Sequence, residues 1–243
     1  MNLTRFPHLC LLCLVLCLTS SPLTAAPGIE LQPFKAKFRV TRNNINLGTM
    51  HVRLTLDESG NYSYSGNTKP GAMLSWLISD KVKEISRGRY KNGHIEPLSY
   101  EYKQSNGEIL KKHILLDFDW PDKLVWTESE GTRWSQPITA GAQDKFSQQL
   151  ALRLDLSNGK KSVSYAVADG GRIKNYNYRV AGSESIKVPY GRLKCLKVRR
   201  SKDSKAPDFT IWIAPELDYL PIRIERKRSS GKYRMELLEF QKG

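Results

Sequence analysis

Cysteine is scarce where it would matter. Of the four cysteines in 243 residues, Cys10, Cys13 and Cys17 sit in an N-terminal apolar leader, and Cys195 stands alone beyond it. Removal of that leader leaves no internal disulfide and takes with it any redox or metal reading of Cys10-x-x-Cys13. Histidine is almost as rare. Past the leader only His51, His94 and His113 remain, and no pair has the spacing of a zinc site. The chain has no Gly-x-Ser-x-Gly elbow for a nucleophilic serine. Gly170-Gly171 lies between strand patterns with no helix after it, so it offers no phosphate cradle. No linker, repeat or low-complexity tract interrupts residues 30 to 243, and one domain is the economical reading. Acidic residues are also short, at 24 against 39 lysines and arginines, a net charge of +15.

The ends explain part of that composition. Residues 1–26, MNLTRFPHLCLLCLVLCLTSSPLTAA, have the layout of a secretory signal peptide: Arg5, an uncharged apolar run, then Ala25 and Ala26. The run from Leu9 to Leu18 is well short of the roughly 20 residues that span a bilayer, and no later run approaches that length. A lipid anchor at Cys17 is the rival reading, but it calls for a small residue just before the cysteine, where Leu16 stands. Cleavage near Ala25 or Ala26 leaves residues 27–243 as a single β-rich domain in the periplasm, with no transmembrane segment. Its charge is +14, because the leader holds Arg5 and no acidic residue. Such a surplus favours anionic partners such as phospholipid headgroups or acidic envelope glycans, and export argues against nucleic acid.

What fills the rest is alternation. FKAKFRV sets Phe34, Ala36, Phe38 and Val40 on one face and Lys35, Lys37 and Arg39 on the other. HVRLTL does the same with Val52, Leu54 and Leu56, and LSYEYK, SVSYAV, NYNYRV, LKCLKVRR and YRMELLEF repeat the theme. Period-two patterning with one wet and one dry face predicts an antiparallel sheet. Turn residues such as Asn92-Gly93 and Asp169-Gly170-Gly171 punctuate it, giving about 10–12 strands spaced as in a barrel or sandwich. Cys195, between Lys194 and Leu196, reads as a small buried hydrophobe.

Two segments break the pattern. AQDKFSQQLALRLDLSNGK places Phe146, Leu150 and Leu154 at helical spacing, with an acidic start and Asn158-Gly159 as a stop. It predicts a helix covering the sheet's apolar face. KPGAMLSWLISDKV crowds Met73, Leu74, Trp76, Leu77 and Ile78 behind Pro70-Gly71. A short apolar segment there could plug the open end of a curved sheet or gate it, and these five residues are the candidate ligand-binding residues at a pocket mouth.

Asp117 and Asp119 share a strand face, the arrangement that lets two carboxylates divide acid and base roles. The surrounding DFDWPD reads more simply as a strand running into a turn. In DFTIWIAPELDYLPIRIERK, Asp208 to Lys227, Pro215 ends one strand and Pro221 stands near the start of the next. That is a rigid hairpin corner, explained without catalysis.

Order and spacing across PFKAKFRVTRNNINLGTM, LISDKVKEISRGRYKNGHIEPLSYEYK, DKFSQQLALRLDLSNGKKSVSYAVADGGRIKNYNYRV and IWIAPELDYLPIRIE resemble the bacterial exported family called domain of unknown function 3108. That resemblance brings no catalytic residues. The stretch Trp212-Ile213-Ala214-Pro215 … Leu220-Pro221-Ile222-Arg223 is similar to a hairpin of the LolA- and LolB-type lipoprotein-localisation proteins. It implies a curved, half-open antiparallel barrel closed by short helices, with an apolar concavity for acyl chains. The expectation is a non-enzymatic carrier for a lipid or other amphiphile, without cofactor or metal. The alternative is an envelope assembly factor that docks anionic glycans or proteins through its basic surface.

Overall fold

Phe34, Ala36 and Phe38 are buried along β1 (Phe34–Arg42), while Lys35 between them is exposed. The chain continues through β2 (Ile45–Leu56), β3 (Asn61–Pro70), β4 (Asp80–Lys91), β5 (His94–Asn106), β6 (Ile109–Asp119), β7 (Leu124–Ser129) and β8 (Thr132–Pro137), with buried residues alternating along β3 and β7 and none on β8. Each pairs antiparallel with the one before it. The computed structural model describes residues 28–71, 80–202, 209–229 and 231–243. Residues 1–26, expected to be a leader, lie outside that range.

After β8 the chain crosses to the far edge of the sheet. There β9 (Gln143–Asp144) lies parallel to β10 (Ser162–Ala168), with helix α1 (Ser147–Ser157) between them in sequence. The chain then returns through β11 (Ile173–Val188), β12 (Gly191–Lys202), β13 (Phe209–Ala214), β14 (Leu220–Arg228) and β15 (Gly231–Lys242). β15 pairs with β1, so first and last strands lie side by side in the middle of one sheet of fifteen described strands. The count exceeds 10–12 because β9 is two residues long and β3, NYSYSGNTKP, has little hydrophobic contrast.

The sheet curls but does not close into a barrel. Side chains, not a strand ladder, tie its two halves together across the curl. Trp134 Nε1 and Gln136 Nε2 on β8 both donate to the Gly171 carbonyl, at 3.2 and 2.9 Å. Gln143 Nε2 on β9 donates to the Ile95 carbonyl of β5 at 3.0 Å, and Ser86 Oγ on β4 donates to Asp144 Oδ2 at 2.6 Å.

α1 runs inside this curl. Phe146, Leu150 and Leu154 join the larger core with Phe34, Leu54 and Tyr64, as the sequence predicts. Leu152 and Leu156 face a second core built on Val167, Tyr176, Val198 and Ile213. A helix buried on both sides is not strongly amphipathic. Asp144 Oδ1 accepts the amides of Phe146 and Ser147 at 2.6 and 2.7 Å, which satisfies donors at the helix start. At the other end Asn158 N and Gly159 N return to Leu154 O and Leu156 O, with Gly159 at φ +81°. No helix among the described residues is long and apolar enough to cross a membrane.

The corner between β13 and β14 is scaffold. A single 3-10 turn, Pro215–Leu217, follows Ala214, and Asp218 and Tyr219 are both left-handed, at φ 51° and 57°. This shape presents the Asp218 carbonyl to the interior, where the buried Arg153 Nε of α1 donates to it at 3.0 Å. The Asp218 carboxylate turns outward to Lys242 at 2.8 Å.

Candidate functional site

Cross-strand rows on the concave face decide where space remains. One row reads Phe34, Leu54, Tyr64, Ser86, Tyr100 and Leu116, and its large side chains fill the core. The next reads Ala36, Val52, Gly66 and Glu84, three small residues and a carboxylate. Gly66 accepts a close approach here: a Cβ would stand 2.6 Å from Met50 Cε and 2.8 Å from Phe146 Cζ. The missing side chain lets the Phe146 ring stack on Tyr64, with centroids 4.2 Å apart.

Beside that stack lies a cavity of about 380 Å³ between β1–β3 and β13–β15. Phe38, Val40, Met50, Val52, Ile224 and Met235 supply much of an apolar lining, with Tyr64, Phe146 and Leu220 deeper in. Its polar groups are few. Glu84 accepts the Tyr100 hydroxyl at 2.6 Å, and burial together with that carboxylate pushes the Tyr100 phenol far up, so it stays a neutral donor. Arg226, Arg228 and Arg234 stand where β14 ends and β15 begins. The Arg226 guanidinium lies 4.8 Å from the Phe209 ring centre, and Arg234 Nε donates to Glu225 Oε1 at 2.8 Å. An apolar pocket with a few placed polar groups is the usual form of a small-molecule site.

Met73, Leu74, Trp76, Leu77 and Ile78, the sequence-predicted ligand residues, lie outside the described residues. They belong to the connection between β3, which ends at Pro70, and β4, which begins at Asp80. That connection leaves the sheet at the same end as the β1–β2 and β14–β15 hairpins.

The remaining sequence candidates do not form a reaction centre. His113 Nε2 contacts Glu101 Oε1 at 2.9 Å, while Asp119 Oδ1 accepts the Asp122 amide at 3.1 Å, as a turn residue does. Six residues of strand separate His113 from Asp119, about 20 Å. Successive pairings put His51, Asn67, Lys83, Lys103 and His113 on neighbouring strands, so the two imidazoles are four strands apart, roughly 19 Å. No group of three potential ligands for a metal occurs among the described residues. Cys195 is fully buried, and burial pushes its thiol up to about 11.

The sequence reading missed Met50, Glu84 and Met235 as lining residues. A signal was present in Gly66, a glycine inside a strand, which marks a close approach or an absent side chain.

The chain resembles known structures over most of its length. A crystal structure of a beta-barrel-like protein of domain of unknown function DUF1849 from Brucella abortus matches with a TM-score of 0.59 and 10% identity. The match covers 88% of this chain and 99% of that one. A putative exported protein with YmcC-like fold from Bacteroides fragilis matches with a TM-score of 0.39 and 9% identity, over 88% of this chain and 97% of that one. No curated protein matches the sequence. The family described as protein of unknown function (DUF3108) matches residues 37–238, and the chain belongs to that family.

Proposed function

We propose that this DUF3108 protein is a periplasmic, non-enzymatic carrier for an amphiphile whose apolar part enters the cavity beside Phe146. One observation carries the reading: the mainly apolar lining around Phe38, Met50 and Met235, with arginines at the hairpin end. The arginines suit an anionic headgroup, and binding is reversible burial of apolar surface. Each methylene contributes about 0.8 kcal/mol, so about eight of them contribute roughly 6 kcal/mol before ordering costs. In this reading residues 1–26 are removed on export, and Met73, Leu74, Trp76, Leu77 and Ile78 act as a lid or plug at the mouth.

The test is native mass spectrometry of protein taken gently from the periplasm, followed by titration of the stripped protein with a fluorescent dodecanoate. A lipid-sized bound mass is expected. So is saturable probe binding that Val40→Trp and Met235→Trp weaken about tenfold or more while the fold persists. A clean apo mass with no probe binding sinks the proposal. It would favour the second reading, a factor docking anionic glycans or proteins. Like charges set directly opposite one another, Lys35 with Arg53 and Lys83 with Lys103, support that alternative because such pairs destabilise a sheet unless a partner neutralises them.

A further inference from the structure

Few large apolar side chains stand exposed among the described residues: Ile45 at 58%, Ile109 at 71%, Leu110 at 50% and Tyr190 at 40%. Their placement is uneven. Ile45 opens β2 directly after the β1–β2 turn, and Ile109 and Leu110 open β6 directly after the β5–β6 turn. Antiparallel pairing puts both turns at one end of the sheet, together with the β14–β15 hairpin that carries Arg226 and Arg228 of the cavity. Tyr190, in the β11–β12 turn, is at the other end.

That same end is basic. Lys69 and Lys81 are exposed on the two strands between these tips, Lys111 and Lys112 follow Leu110 with Lys111 paired to Asp80 at 2.7 Å, and Lys227 and Arg228 close β14. Glu108 and Glu130 are the exposed carboxylates at the tips. A lone exposed isoleucine needs no explanation. Three of the four at one end, interspersed with cations and beside the cavity mouth, make an arrangement suited to a bilayer interface. Apolar tips enter the headgroup boundary while lysines and arginines meet anionic lipid, and stable attachment takes both signals.

We infer that the hairpin end bearing Ile45, Ile109 and Leu110 docks on an anionic bilayer surface, so that the cavity mouth faces the lipid. This deepens the carrier reading and rests on it for the role assigned to the membrane. Its test does not depend on cargo. The opposite end stays in water.

The experiment uses protein recovered from the periplasm of cells expressing the full chain, and vesicles of equimolar phosphatidylethanolamine and phosphatidylglycerol. Co-sedimentation is expected with these vesicles, weaker with phosphatidylcholine alone and weaker in high salt. The combined variant Ile45→Ser, Ile109→Ser and Leu110→Ser should lose about tenfold or more in partitioning. Its binding of the soluble dodecanoate probe should be unchanged. Buried Cys195 allows a single polarity-sensitive label: Leu110→Cys should shift its emission to the blue on vesicles, and Glu58→Cys, at the other end, should not. Wild-type protein that stays in the supernatant overturns the inference. So does a combined variant that sediments as well as wild type, since attachment is then by charge alone, and so does a blue shift at both labels. Loss of probe binding with vesicle docking intact would instead count against the carrier reading.

Discussion

Asp144 couples proton uptake to the integrity of the curl. Its carboxylate is fully buried and takes three hydrogen bonds, from the Phe146 and Ser147 amides and from Ser86 Oγ. Burial pushes it from an ordinary 3.8 up to about 6, and the three donors oppose that rise. Between those two pH values the folded chain holds a proton that the unfolded chain has released. Stability from this group is therefore complete below 3.8 and falls as pH rises through about 6. At about 1.4 kcal/mol for each tenfold step, the loss by neutral pH is on the order of 3 kcal/mol. Asp144→Asn keeps an oxygen for the two helix amides but removes the titration. Urea unfolding of both proteins at intervals between about pH 4 and 7.5 reads the effect as a difference. Asp80, Glu184 and Glu225 are held below the usual carboxylate range and impose the opposite slope, but they are common to both proteins and cancel. The Asn variant should gain on wild type by roughly 3 kcal/mol across the window. A flat difference, or one in which the variant loses ground as pH rises, refutes the reasoning.

Two further outcomes follow from single residues. Gly66→Val forces a branched side chain against Met50 and Phe146; it should lower unfolding free energy by about 1–3 kcal/mol and weaken dodecanoate binding, and a neutral change in both would show that the Phe146 stack is not held by this approach. Cys195 should resist a disulfide reagent at mildly alkaline pH until the protein is unfolded, because its thiol is both covered and pushed up to about 11; rapid labelling of native protein would contradict its place in the core.

Legibility in the sequence tracked hydrophobic contrast. FKAKFRV and HVRLTL alternate strongly, and both are strands with buried Phe34, Ala36, Phe38, Val52 and Leu54. Asn92-Gly93, both at positive φ, marked the β4–β5 hairpin. β3 was harder, because Tyr62, Tyr64 and Gly66 point inward while Ser63 and Ser65 separate them and asparagines flank them, so polarity varies little. β9 is recognisable only from its partners, since two residues carry no period. In α1 the stripe of Phe146, Leu150 and Leu154 was visible, but Leu152 and Leu156 belong to a second buried side that only the curl creates. The cavity was the least legible element. Alternation tells which face of a strand is dry. It does not tell whether facing side chains fill the space: here Met50 and Phe146 close over Gly66, and the cavity remains beside them.

The Phe146 stack, the helix and the contacts across the curl form one mechanical unit. A barrel seals its sheet with a continuous ladder, whereas this sheet is tied across its curl by side-chain donors from Trp134, Gln136, Gln143 and Ser86. Each such bond contributes about 1 kcal/mol net, so the seam opens more readily than a strand pair embedded in the sheet. Asp144 stands at this seam and also fixes the start of α1. The Phe146 amide is bonded to that same carboxylate, and the Phe146 ring forms one wall of the cavity. Whatever loosens Asp144 therefore acts on the seam across the curl, the helix start and the cavity wall together.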